Sequence, residues 1–201
     1  MSTTFPRLSP EDHVVVGGDF ARVFDSDDYL IMFNSLDEAS VVLRAHLILE
    51  EFLNIWSSRL TGTDDLFAGT FVPFKTKLVV ARNLGLPAEY ESILDKFNEV
   101  RNRYSHRRKY AIEQSTLEQL KNKINALASA NPLLPCEEYH IFAQGKDQHG
   151  NSQEVWVEWQ SADTKRRVLL IFVQLVMKFV QWLQEELNRR GVKYSLVAWP
   201  A

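Results

Sequence analysis

Apolar residues recur at steps of three and four along most of this chain, and the recurrence predicts five helices. From Asp37 to about Arg59, the positions Ala39, Val42, Leu43, His46, Leu47, Leu49, Glu50, Leu53 and Trp56 share a helical spacing, with Asn34 or Ser35 placed as the cap. Pro73 suits the first turn of a second helix that runs through Leu78, Val79 and Ala81 to a stop at Gly85. A third helix is expected from about Pro87 to His106, with Tyr90, Ile93, Leu94, Phe97, Val100 and Tyr104 as its apolar stripe. A fourth covers roughly Ser115 to Ala130. The longest runs from about Asp163 to Arg190 and ends at Gly191.

Between the fourth and fifth helices the period changes to two. Val155, Val157 and Trp159 alternate with Trp156, Glu158 and Gln160, and Tyr139 to Ala143 is a second short run of β type. Together they predict a hairpin at about 137–160. Residues 1–35 read as an irregular segment with Pro6, Pro10 and Gly17-Gly18 as breakers, and Val14-Val15-Val16 as a candidate short strand. The expected fold is mainly α: an antiparallel helical bundle over 36–201 with a small β-hairpin inserted before a long C-terminal helix. Short loops between successive helices favour antiparallel neighbours.

Composition narrows the class. The chain has 201 residues, 45% hydrophobic and 24% charged, which suits one soluble globular domain with a substantial core. Cys136 is the only cysteine, which excludes an internal disulfide framework and a cysteine-rich zinc site and fits a reducing cytoplasm. Met1 to Pro10 lacks the apolar core of a secretory signal. The most apolar run, Val168 to Val180, is interrupted by Gln174 and Lys178 and is shorter than the roughly 20 residues of a membrane span. A cytoplasmic protein without a membrane segment, metal or cofactor is expected.

The net charge is -3, yet from Val100 to Ile112 there is no Asp or Glu, while Arg101, Arg103, Arg107, Arg108 and Lys109 are all cationic. An Arg can fork onto a phosphate, and a His can carry a proton near neutral pH. Arg101, Asn102 and His106 therefore form a candidate catalytic set suited to a phosphodiester, beside the further cations Arg103, Arg107, Arg108 and Lys109. On a regular helix Asn102 and His106 are neighbours, so the amide can orient the imidazole. Arg101 falls at the edge of the apolar stripe. There it needs a partner, either a carboxylate such as Glu50 or Glu51 or a bound phosphate. Basic residues at a helix C-terminus also simply complement the helix dipole, and that plainer reading stands beside the catalytic one. His46 reads as a packed or hydrogen-bonded histidine. Trp156 and Trp159 suit either core packing or base stacking.

The stretch Phe71-Val72-Pro73-Phe74-Lys75-Thr76-Lys77-Leu78, with Leu84-Gly85-Leu86 and Leu94 to His106, resembles the mannitol operon repressor family. Leu43 to Leu53 is similar to the first helix of that group. The ending Arg101-Asn102 followed by His106 resembles the motif of the HEPN superfamily (higher eukaryotes and prokaryotes nucleotide-binding). That resemblance implies a metal-independent endoribonuclease serving as a stress, toxin or defence effector. It also implies RNA as substrate, with Arg103, Arg107, Arg108 and Lys109 on the strand backbone, and an antitoxin or regulatory protein as partner; a homodimer is expected because one His cannot serve both proton transfers. The mannitol-repressor resemblance implies instead a non-enzymatic transcriptional regulator acting through protein contacts. Both resemblances cover about residues 36–125. Some toxins of the superfamily carry a Tyr two residues past the His; here that position is Arg108, and Tyr110 follows two residues later.

Overall fold

The computed structural model describes residues 18–107, 109–129, 133–146 and 152–195. After a 3₁₀ turn at Gly18–Phe20 come α1 (Ser26–Asn34), α2 (Glu38–Thr61), α3 (Phe74–Asn83), α4 (Ala88–His106) and α5 (Gln114–Asn125). They are followed by β1 (His140–Lys146), β2 (Ser152–Glu158) and α6 (Thr164–Arg189). The protein is mainly α with one small two-stranded antiparallel sheet.

Local chemistry sets most boundaries. The side chain of Asp37 accepts from the Ser40 N–H at 2.8 Å, which satisfies an orphan donor at the start of α2. Gly62 ends that helix at φ 69°, a left-handed conformation that glycine adopts without a Cβ penalty. Gly85 plays a similar part after α3 at φ 100°.

Several expectations change, and the cap of α2 is Asp37 rather than Asn34 or Ser35. Residues 26–34, read as irregular, form α1. Asp25 caps it by accepting from the Asp27 N–H at 2.9 Å, and Met32 is its only fully buried side chain. Tyr29 and Phe33 pack beside it, but the exposed Leu30 and Ile31 blur the periodic signal. The candidate strand at Val14 to Val16 lies outside the described residues. The fourth predicted helix ends at Asn125 rather than Ala130. At and just past its end the carbonyls of Ile124, Asn125 and Leu127 turn toward the Lys178 Nζ of α6, at 2.8, 3.4 and 3.0 Å.

Helix directions are mixed. Helix α4 runs antiparallel to α2, because Tyr104 meets Glu38 while Asn98 meets His46. Helix α6 runs parallel to α2: Lys165 donates to the Ser35 carbonyl, Phe52 stacks on Phe179 at 4.7 Å, and Trp56 meets Trp182 at 4.8 Å. The expectation of antiparallel neighbours holds for α2 and α4 but not for α2 and α6. The connection through α5 and the hairpin is long enough to return the chain to the starting end. The core lies between these helices, with Phe20, Phe52, Trp56, Phe97, Phe172 and Phe179 among its fully buried side chains. Helix α6 is long and apolar enough to cross a membrane by length and composition, but 67% of its apolar window is buried inside the protein. Its Gln174 and Lys178 are buried too.

The hairpin pairs Phe142 with Trp156 and Ile141 with Val157. Val157 and Trp159 face the helices and are buried, whereas Phe142 and Trp156 lie on the exposed face with ring centroids 4.7 Å apart. The two tryptophans thus part company. Trp159 is a packed residue flanked by the cations of Lys121 and Arg167, each 5.3 Å from its ring.

Candidate functional site at the end of helix α4

Helix α4 carries its polar end intact as far as His106, so all three candidate catalytic residues are helical. Its buried face is Tyr90, Ile93, Leu94, Phe97, Asn98 and Val100, which places Arg101 at the rim of the packing surface. Arg101 is half-buried. Its expected carboxylates are occupied elsewhere. Glu50 pairs with the buried Lys77 at 2.8 Å, and Glu51 accepts from Asn54 at 2.9 Å and lies 3.8 Å from Arg22. Arg101 Nη1 donates instead to Asn102 Oδ1 at 3.0 Å, and among the described residues it forms no ion pair.

That bond alters the role foreseen for Asn102. Its carbonyl oxygen is committed to Arg101, and no hydrogen bond joins Asn102 to His106 among the described residues. The amide therefore orients the guanidinium, its immediate chain neighbour, rather than the imidazole one turn on. His106 itself is exposed and has no hydrogen bond or ion pair among the described residues. Arg107 and Lys109 are likewise exposed with no side-chain partner among them. Arg108 lies outside the described residues. Arg103 is more constrained: its guanidinium lies 5.9 Å from the Tyr110 ring centre and 3.8 Å from Glu113. The helix end thus gathers Arg101, Arg107, Lys109 and His106 with no carboxylate attached to any of them among the described residues. The dipole of α4 favours such cations but does not require so many.

Below Arg101 sits His46 of α2, buried, with Nε2 3.3 Å from Asn98 Oδ1 and its ring 4.3 Å from that of Phe74. This is the packed, hydrogen-bonded histidine expected from the sequence. Burial pulls its pKa below the ordinary 6.5, and the Arg101 cation pulls it further; the Asn98 bond and Glu50 oppose the shift. The neutral ring is the favoured form in the fold, so the folded chain binds fewer protons here than the unfolded chain. The stability this supplies is complete above about 6.5 and is lost as pH falls through the lowered folded value. His46→Gln should therefore flatten the fall in melting temperature between about pH 7 and pH 5.5. Thermal melts of both proteins across that range check it, and parallel curves would contradict it.

A cluster where the last turn of α4 meets the start of α2 carries no signal in the sequence. Tyr104 was expected only as the last residue of the apolar stripe. Its phenol donates to Glu38 Oε2 at 2.5 Å and accepts from the Ile112 N–H at 3.0 Å, and its ring meets Tyr110 edge-on at 4.7 Å. Burial and the Glu38 carboxylate hold the phenol well above its ordinary range, so it remains a donor. Glu38 and Tyr104 are 66 positions apart, and neither has a local pattern that marks the pairing. Elsewhere, burial pushes the Cys136 thiol up to about 12, which leaves it without thiolate character at neutral pH. Among the described residues no three His, Cys, Asp or Glu side chains converge to hold a metal ion.

No family model, curated protein or solved structure matches this chain. What the fold defines is a class: a mainly α protein with a small hairpin and a cationic, histidine-bearing helix end.

Proposed function

We propose that this chain is a metal-independent endoribonuclease of the HEPN kind, a cytoplasmic stress, toxin or defence effector that works as a homodimer. The observation that carries the reading is Arg101, a half-buried cation, five residues before an exposed His106, with no carboxylate on Arg101 and no partner on His106 among the described residues. A guanidinium left uncompensated at a packing rim is poised for an external anion. Had Glu50 held Arg101, the helix end would read as structural; Glu50 holds Lys77 instead.

RNA supplies its own nucleophile, since a 2′-OH lies beside each phosphate. One base removes that proton, O2′ bonds to phosphorus, and the 5′-oxygen leaves with a proton from an acid. A 2′,3′-cyclic phosphate and a free 5′-OH result. His106 acts as acid or base, Arg101 stabilises the charge growing on the non-bridging oxygens, and Asn102 holds the guanidinium in place. Arg107, Arg108 and Lys109 bind the strand backbone, with Arg103 contributing where its pairing with Glu113 permits. One histidine serves one of the two proton transfers. A two-fold axis near the end of α4 brings the second from another copy. Light scattering at micromolar concentration should therefore give twice the chain mass; a monomer under those conditions would remove the second histidine from the mechanism.

A second reading, a mannitol-repressor-like regulator acting through protein contacts, draws support from the exposed Phe142 and Trp156 pair on the hairpin. Incubating single-stranded RNA with the purified chain separates the two readings, since only the first predicts cleavage.

A further inference from the structure

Helix ends fray, and a catalytic group on a last helical turn needs something to hold that turn still. Tyr104 lies two residues before His106, about 200° away around the helix at ~100° per residue, so the two side chains point to nearly opposite sides. Tyr104 faces the N-terminus of α2, where Glu38 stands in the first turn. The chain beyond α4 folds back to the same point: the Ile112 N–H lies 3.0 Å from the phenol oxygen and 3.4 Å from Glu38 Oε2. Between these anchors run Arg107, whose N–H bonds to the Arg103 carbonyl, and Tyr110, whose N–H bonds to the Arg107 carbonyl and whose ring packs on Tyr104. One phenol thus ties together the last turn of α4, the start of α2 and the return of the chain. Arg107 and Lys109 of the candidate site sit on that tied segment.

We propose that Tyr104 and Glu38 are positioning residues of the nuclease site: they latch the last turn of α4 and the 107–112 return, so that Arg101, His106 and Arg107 present themselves together to the RNA phosphate. This rests on the nuclease reading above. Neither residue touches substrate. Loss of the latch therefore lowers the rate of the chemical step and leaves RNA binding, which is spread over several cations, nearly unchanged.

The test uses the full chain as wild type, Tyr104→Phe, Glu38→Ala and Glu38→Gln. Amide hydrogen exchange is read at Arg107, Tyr110 and Ile112, and kcat and KM are measured on a single-stranded RNA. Tyr104→Phe and Glu38→Ala should lose protection at Ile112 and lower kcat about tenfold or more with KM within about twofold, as expected for a misplaced reacting group. Glu38→Gln keeps an acceptor for the phenol and should stay within about threefold of wild type on both counts, a rescue that a merely charged role would not show. Unchanged protection at Ile112 in Tyr104→Phe overturns the latch. So does a kcat equal to wild type once protection is lost, or a loss that appears in KM alone. A wild-type chain that cleaves no RNA rejects the nuclease reading and this role with it, whereas a cleaving wild type with an indifferent Tyr104→Phe rejects the positioning role alone.

Discussion

Lys178→Met is expected to cost about 2–4 kcal/mol of folding stability, because it removes a donor from three carbonyls at the end of α5 and leaves those of Asn125 and Leu127 unsatisfied, at ~1–3 kcal/mol for each such group. Lys178 Nζ has three protons and three acceptors: the carbonyls of Ile124, Leu127 and Asn125. The Ile124 carbonyl also accepts from the Leu127 N–H at 3.1 Å, so those of Asn125 and Leu127 depend most on the ammonium, which also meets the negative end of the α5 dipole. Burial lowers the lysine's pKa from its ordinary value, so the cation is held at a cost, and its removal recovers part of the loss. That offset keeps the expected figure below the sum of three broken bonds. Methionine fills nearly the same volume, so a cavity does not confuse the result. Urea unfolding followed by circular dichroism measures it; a change under about 1 kcal/mol would mean that water replaces the ammonium at α5.

The second large effect concerns activity. His106→Ala should slow RNA cleavage about 10²–10⁴-fold, the range for loss of a general acid or base, and leave the melting temperature unchanged. The side chain is exposed and bonded to nothing among the described residues, so the fold has no stake in it. Arg101→Ala should lose about 10²–10³-fold, typical of a removed electrostatic stabiliser. It should also shift stability modestly, by about 1 kcal/mol, through the lost bond to Asn102 and lost packing. The same change removes a cation facing His46, so the His46 pKa should rise toward its ordinary value, which NMR titration reads independently of any RNA.

The helices and the hairpin were legible because burial imposes a period. The stripe from Tyr90 to Val100 and the alternation of Val155, Val157 and Trp159 are both core faces in the structure. Helix α1 was not legible, because the exposed Leu30 and Ile31 interrupt its packed positions Tyr29, Met32 and Phe33 and blur the period. The parallel run of α2 and α6 depends on contacts such as Phe52 with Phe179, for which loop length is a poor guide. At the candidate site, residue types placed Arg101, Asn102 and His106 on one helix end, but side-chain partners followed other rules. Glu50 went to Lys77 and Asn102 to Arg101, and Tyr104, expected as an apolar residue, became the hub of a polar latch. Such choices are settled by which groups meet across the bundle, and no local spacing encodes them.

The nuclease reading meets its most direct test in one experiment: purified wild type and His106→Ala with end-labelled single-stranded RNA, each with and without EDTA. The account predicts cleavage by wild type at the same rate in both buffers, because the 2′-OH is the nucleophile and no metal-bound water is needed. Fragments should end in 2′,3′-cyclic phosphate, and His106→Ala should be at least about 100-fold slower. Cleavage that EDTA abolishes, cleavage that survives His106→Ala, or no cleavage by wild type would contradict it.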